Sequence, residues 1–285
     1  MAKIVEILKE LKTRLSEKNI DEYQIESEII INHVLEINTE ELYSNLFQEC
    51  TSRDYENIQE IVKERELRIP LPYITQKCNF FGRIFDINSG VLIPRPETEL
   101  LIERSIEYIS NNSNKKLSII DIGTGSGIIG ITLKLIFPDL DVHLIDISKK
   151  AIELTKKNMK LHNLGGQMNL INKDFRKISL KKYDLVLANL PYIPIERFPY
   201  LPPELSFEPK LALDGGKRGI ELIRDLIKLL PKIVNNNTSK AIIEIDETQL
   251  KPLKSVINLF IKSATTNSFK DLSKKNRLIE ITNIK

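Results

Sequence analysis

The stretch Ile119-Ile120-Asp121-Ile122-Gly123-Thr124-Gly125-Ser126-Gly127 constrains this chain more than any other. Its run of β-branched apolar residues suits a strand buried on both faces. The run ends in three glycines spaced two apart. The segment Ile128 to Phe137 then carries enough apolar residues for a helix before Pro138. Strand, tight glycine turn and helix together bring a ligand against backbone N–H groups at a helix N-terminus. A side chain at Gly125 or Gly127 is expected to hold that ligand off.

The glycines alone do not name the ligand. Gly125-Ser126-Gly127-Ile128-Ile129-Gly130 satisfies the dinucleotide pattern G-x-G-x-x-G. Asp146 closes the next apolar strand (Val142, Leu144, Ile145), where a ribose-binding carboxylate belongs. A nicotinamide cofactor and S-adenosylmethionine (SAM) both present a ribose diol to such a carboxylate. Asp121, two residues before the first glycine, makes the segment resemble the D-x-G-x-G-x-G opening of class I SAM methyltransferases.

The 285 residues accommodate one α/β domain of about 190 residues and a smaller companion. A net charge of +3 gives no large basic footprint, so direct nucleic-acid binding is not expected. No apolar run approaches the roughly 18 residues of a membrane-spanning helix, and acidic Glu6 stands where a secretory signal would be basic and apolar. The chain therefore reads as cytoplasmic, with no membrane partner. Cys50 and Cys78 lie far apart, and His33, His143 and His162 fall in no ligand spacing, so no metal is expected.

Three segments follow from the pattern. Residues 1–69 read as an N-terminal helical domain, with Ile4, Ile7, Leu8, Leu11 and Leu15 as one apolar stripe. Asp21 with Gln24, and Asn38 with Glu41, have the spacing of capping boxes. This domain is either a stabilising bundle or a docking surface for a macromolecular substrate. Residues 70–96, punctuated by Pro70, Pro72, Gly82, Gly90, Pro94 and Pro96, read as a β-hairpin linker. Residues 97–285 alternate strands and helices, which implies a doubly wound parallel sheet. Its strands are predicted at Ile119–Ile122, Val142–Asp146, Asn169–Asn172, Tyr183–Ala188, Ala241–Ile245 and Leu278–Ile281.

Asn189-Leu190-Pro191-Tyr192 follows the fourth of these strands and should face the same crevice as the glycine turn. It resembles the (Asn/Asp/Ser)-x-Pro-(Tyr/Phe/Trp) motif of methyltransferases that act on nitrogens conjugated to a π system. Such a nitrogen has a delocalised lone pair and attacks a sulfonium methyl poorly. Two acceptors on its N–H bonds hold it and favour a more tetrahedral geometry. The Asn189 side-chain oxygen and the Leu190 carbonyl supply them. Pro191 restricts Leu190 to an extended conformation and fixes the carbonyl's direction. The Tyr192 ring offers a face to the flat group.

Beyond these motifs the chain resembles the protein-(glutamine-N5) methyltransferases that modify peptide chain release factors. The segment Ile93-Pro94-Arg95-Pro96-Glu97-Thr98-Glu99 matches that family's most distinctive stretch. Pro72-Tyr73-Ile74, Phe207-Glu208-Pro209 and Ala212-Leu213-Asp214-Gly215-Gly216 match further parts of it. The resemblance implies a class I SAM-dependent methyltransferase: a Rossmann-like seven-stranded α/β sheet whose last strand is antiparallel, behind a small N-terminal helical domain that docks substrate. It implies SAM on Gly123, Thr124, Gly125, Ser126 and Gly127, with the ribose on Asp146, the adenine near Asp174 and Phe175, and the methyl near Asn189. It implies as substrate the glutamine of the release factors' Gly-Gly-Gln loop, handled by Asn189, Leu190, Pro191 and Tyr192. Two positions depart from the family. Leu190 stands where proline is usual, which resembles ribosomal RNA adenine dimethyltransferases, and Asp246 stands where glycine is commoner. The alternative activity is therefore N6-methylation of adenine in ribosomal RNA or DNA.

Overall fold

The computed structural model describes residues 2–112, 114–177, 181–235 and 238–285. The chain divides into two compact units, Met1–Lys77 with Pro202–Phe207, and Cys78–Leu201 with Glu208–Lys285.

The first unit is helical. Helices α1 (Ile4–Glu17), α2 (Tyr23–Leu35), α3 (Thr39–Ser44), α4 (Ser52–Glu66) and α5 (Leu71–Thr75) follow one another. The stripe Ile4, Ile7, Leu8, Leu11 and Leu15 faces inward, onto Ile30, Ile31, Ile58 and Val62. The Asn38–Glu41 box forms: Asn38 Oδ1 accepts from the Glu41 N–H, and Glu41 returns the bond to Asn38. Asp21 caps nothing, because α2 starts at Tyr23 behind Glu22 and without a side-chain cap. Pro72-Tyr73-Ile74 lies in α5, not in a hairpin. Only Lys77 onward is extended, as β1 (Lys77–Phe80) and β2 (Arg83–Asp86). The segment Pro202–Phe207 packs with these helices. Glu204 there accepts from Arg68, and from Arg65, whose guanidinium also grips Glu26.

The second unit carries a seven-stranded sheet. Its strands are β3 (Ser118–Ile122), β4 (Asp141–Asp146), β5 (Asn169–Asn172), β6 (Leu185–Ala188), β7 (Lys240–Glu244), β8 (Thr265–Lys270) and β9 (Asn276–Thr282). Their spatial order is β5-β4-β3-β6-β7-β9-β8. The pairs from β5 to β7 are parallel, and β9 is antiparallel to both β7 and β8. Helices α6 (Glu99–Ser110), α7 (Ile128–Ile136), α8 (Lys149–Leu161), α9 (Lys210–Leu213), α10 (Glu221–Ile233) and α11 (Leu250–Phe260) complete the unit.

Side chains alternate along the strands and build two apolar layers. Ile120, Ile122, Val186, Ile243 and Ile279 meet α10 and α11 on one face. Ile119, Leu185, Leu187, Val142 and Leu144 meet α6 and α7 on the other. The strand order reverses at β3, since β4 lies on one side of it and β6 on the other. That switch point opens a crevice beyond the carboxyl ends of β3 and β6.

Candidate active site

The crevice is a cavity of about 530 Å³. Gly123, Thr124, Gly125, Ser126, Asp146, Asp174, Phe175, Asn189, Leu190 and Pro191 all line it. Ten of the twelve residues singled out from the sequence thus meet in one place. Gly127 and Tyr192 are not on its wall.

Gly127 has φ +83°, which a side chain tolerates poorly. A Cβ there would stand 2.8 Å from Thr155 Cγ2 and 2.9 Å from Ile131 Cδ1. The glycine therefore lets α8 close on the turn, and does not clear space for a ligand. The turn also satisfies its own backbone. The N–H groups of Gly123 and Thr124 donate to Ile145 O, that of Gly125 to Asp146 Oδ2, and that of Gly127 to Thr124 O. A pyrophosphate seated on the loop would need these groups free. They are engaged, so the turn acts by shape and by what it holds in place.

Two carboxylates hold it. Asp146 takes the Gly125 N–H on one oxygen at 2.9 Å and the Ser148 N–H on the other at 2.8 Å. Burial raises its pKa, and these backbone donors oppose the rise. A carboxylate has about four acceptor directions, so both oxygens keep capacity for a ribose diol. Asp121 is fully buried beneath the turn and accepts the Thr124 hydroxyl at 2.6 Å. Burial pushes its carboxyl up to about 7, against the pull of Thr124 and of the Gly130 N–H. Asp174 is gripped by Arg176, which holds its carboxyl below the usual range, and the buried Phe175 follows it in the cavity wall. An acidic shelf, an aromatic face and a close-packed turn fit a cationic sulfonium carrying a ribose and an adenine.

Opposite the turn, Asn189 donates from Nδ2 to Thr98 Oγ1 at 3.1 Å. Thr98 in turn donates to Glu244 Oε2 at 2.7 Å, and the Tyr192 hydroxyl reaches Glu244 Oε1 at 3.4 Å. The Tyr192 ring packs on the core layer around Ile120 and Val186, which is why it offers no face to the cavity. The Leu190 side chain is buried too, and its Cδ2 lies 2.9 Å from where a Gly123 Cβ would sit.

Glu208 braces the Ile93–Glu99 segment. Its Oε2 accepts the Ile93 N–H at 3.1 Å, and its Oε1 pairs with Arg95. Two stretches far apart in sequence thus form one wall. The roles of Thr98 and Glu244 are what sequence reasoning missed: Thr98 lies in the distinctive Ile93–Glu99 stretch, but nothing local ties it to Asn189 or to Glu244. Among the described residues no group of three or more His, Cys, Asp or Glu side chains could hold a metal, and no helix is long and apolar enough to cross a membrane.

Sheet order, glycine turn and an Asn-x-Pro-Tyr tetrapeptide at one crevice define a class I SAM-dependent methyltransferase. Solved structures agree on the fold: a ribosomal protein L11 methylase from Lactobacillus delbrueckii subsp. bulgaricus superposes with a TM-score of 0.50 at 20% identity, over 73% of this chain and 90% of that one. Residues 97–196 match the methyltransferase small domain family, and residues 6–75 match the PrmC N-terminal domain family. A release factor glutamine methyltransferase from Bacillus cereus is 35% identical over 97% of this chain and 98% of its own length. The chain belongs to the release factor glutamine methyltransferase family. A ribosomal protein uL3 glutamine methyltransferase from Francisella tularensis is 36% identical over 64% of this chain and 58% of that relative.

Proposed function

We propose that this protein transfers a methyl group from SAM to the side-chain amide nitrogen of the glutamine in the Gly-Gly-Gln loop of peptide chain release factors, in the cytoplasm. The observation that carries the reading is the Asn189–Thr98 hydrogen bond. Thr98 holds the amide through Nδ2, which leaves Asn189 Oδ1 as the end that accepts an N–H from a substrate. The Leu190 carbonyl accepts the second N–H, and Pro191 keeps that residue extended.

When bound, SAM supplies a methyl group made electrophilic by its sulfonium. Gly123 to Ser126, Asp146, Asp174 and Phe175 would hold it. The chain's own work is to bind and aim the glutamine. Two acceptors rotate and pyramidalise the amide nitrogen, and no strong base is needed because that nitrogen becomes acidic as it is alkylated. Holding nitrogen and methyl in line contributes up to roughly 7–11 kcal/mol toward the barrier.

The helical unit serves as the docking surface for the factor. Phe47 is 77% exposed there, and Tyr43 is half exposed. Phe47→Ala should raise the KM for the factor and leave SAM affinity alone; an unchanged KM argues against docking at Phe47. The adenine alternative is not favoured, since it needs a flipped base and a basic strand-binding groove. A ribosomal-protein glutamine is the second substrate to test, on the strength of the uL3 relative. The deciding experiment incubates the protein with labelled SAM and, separately, a release factor, ribosomal protein uL3 and ribosomal RNA. Mass spectrometry should find the label on the Gly-Gly-Gln glutamine. Label on RNA adenine alone would sink the reading.

A further inference from the structure

Asn189, Thr98 and Glu244 form a hydrogen-bonded line from the cavity into the core. Thr98 and Glu244 are each 1% exposed, so no bulk water competes for their atoms. A threonine hydroxyl has one proton to donate and lone pairs that accept. An ionised carboxylate can only accept. With Glu244 ionised, the Thr98 proton must point at Glu244 Oε2, at 2.7 Å, and only lone pairs remain for Asn189. Asn189 must then present Nδ2 to Thr98, at 3.1 Å, and keep Oδ1 for the substrate. A protonated Glu244 could donate to Thr98 instead. Thr98 would then donate to Asn189, the amide would settle the other way round, and its NH₂ group would meet a substrate N–H donor to donor. An amide is nearly symmetric in shape, so nothing but the hydrogen-bond network distinguishes its two ends.

We propose that Glu244, acting through Thr98, is the positioning residue that fixes the polarity of the Asn189 amide and so decides which of its atoms meets the substrate nitrogen. This rests on the reading that Asn189 Oδ1 accepts from the substrate amide. Two facts agree with it. The line is continuous. The Tyr192 hydroxyl donates to the second Glu244 oxygen at 3.4 Å, so a residue of the tetrapeptide itself also favours the carboxylate as acceptor. Arg277 of β9 and Glu97 beside Thr98 are the charges facing Glu244, and they oppose each other: Arg277 favours the ionised form and Glu97 disfavours it. Burial outweighs both and pushes the Glu244 carboxyl up to about 7. The polarity of Asn189 is therefore set within the neutral range, and the competent form is the one present at higher pH.

The test reads Asn189 directly as well as turnover. In uniformly ¹⁵N-labelled protein the side-chain NH₂ resonance of Asn189 is identified by its loss in Asn189→Ala. In the unaltered protein it should shift with pH as a single titration with its midpoint near 7. In Glu244→Gln it should stay still. On a release factor, kcat should rise along the same curve, whereas Glu244→Gln, whose Oε1 still accepts from Thr98, should be flat with pH, and Glu244→Leu, which has no acceptor, should be slow at every pH. Losses of an orienting partner run to about 10–100-fold, and that range is expected for kcat here. SAM affinity by calorimetry should hold within about twofold, since Glu244 does not line the cavity. Thr98→Val should mimic Glu244→Leu, and Thr98→Ser should recover most of the lost rate. An Asn189 resonance that ignores pH in the unaltered protein overturns the proposal, as does a Thr98→Ser enzyme no faster than Thr98→Val. If the resonance titrates as expected but no glutamine is methylated, the substrate reading falls and the polarity inference stands.

Discussion

Gln249 donates from Nε2 to the Tyr192 carbonyl at 2.8 Å and to the Gly219 carbonyl at 2.9 Å. Its Oε1 accepts the Asp246 N–H at 3.0 Å. One buried amide thus clamps the last residue of Asn189-Leu190-Pro191-Tyr192 to the start of α10. The arrangement also gives Asp246 a part. Asp246 caps the turn at Glu247–Gln249 through Thr248, and Gln249 closes the reciprocal half of that capping box.

Replacing Gln249 with Leu keeps the volume and strips the donor from two carbonyls. Each buried group left unpaired costs about 1–3 kcal/mol, so the two carbonyls put the expected loss at roughly 2–6 kcal/mol in denaturant titration. Turnover should fall as well, because the tetrapeptide's exit is no longer fixed, while SAM affinity holds. A variant with wild-type stability and rate would show that the clamp is idle.

Asp146→Ala should weaken SAM binding by roughly 1.5–3 kcal/mol, the scale of a lost charge-assisted hydrogen bond. The structure adds a second cost, since Asp146 also receives the Gly125 and Ser148 N–H groups. Asp146→Asn keeps acceptor capacity on one atom and should lie between wild type and Ala. Calorimetry that finds equal affinity for all three folded proteins removes Asp146 from the site.

Much of this site was legible locally. A strand, glycines and an aspartate in register marked one wall, and four letters after β6 marked the other. What stayed hidden was non-local. Thr98 is 91 residues from Asn189 and 146 from Glu244, so no spacing rule connects them. Strand β8, Thr-Thr-Asn-Ser-Phe-Lys, was missed for a different reason. It is an edge strand paired only to β9, mostly polar, with Phe269 its one large apolar residue, so it lacks the alternation that marks a half-buried strand. Gly127 shows the reverse error: its position in the motif was right, but the need it answers is contact with Thr155, which sequence does not display.

The buried Asp121 makes stability depend on pH. Its carboxyl titrates near 4 in the unfolded chain and near 7 when folded. Below about pH 4 both states are protonated and there is no penalty. As pH rises toward 7 the unfolded chain ionises first, and the folded state loses stability, on the order of 4 kcal/mol in all. Asp121→Asn cannot ionise, yet its carbonyl can still accept from Thr124. Relative to wild type, the variant should therefore gain stability between pH 4 and pH 8. Urea titrations at the two pH values check this, and a difference independent of pH would refute it.

Asn189→Ala removes the acceptor itself. Turnover on a release factor should drop by about 10²-fold or more, by analogy with the loss of one preorganised polar group. The fold should survive, because Asn189 sits at the end of β6 on the cavity wall. Near-normal kcat at saturating substrate would end the proposed role.

Leu190 separates chemistry from packing. The chemistry needs only the carbonyl at 190, which every residue supplies, and Pro191 alone already disfavours the helical conformation there. The side chain serves packing instead, since it is buried in the layer around Ile120 and Ile122 and lies against Gly123. Leu190→Pro should therefore keep kcat within about tenfold, since the carbonyl remains. It should lower stability by about 1–3 kcal/mol, because the shorter ring fills the space under the glycine turn less well. Pro191→Ala should do the opposite. The freed backbone costs only about 0.4–1 kcal/mol of stability, yet the carbonyl loses its direction and turnover falls further than in Leu190→Pro. Thermal melts and single-turnover rates on a release factor resolve the two effects. If Leu190→Pro abolished methylation while Pro191→Ala did not, the side chain would be the group that matters at 190, and the carbonyl argument would be wrong.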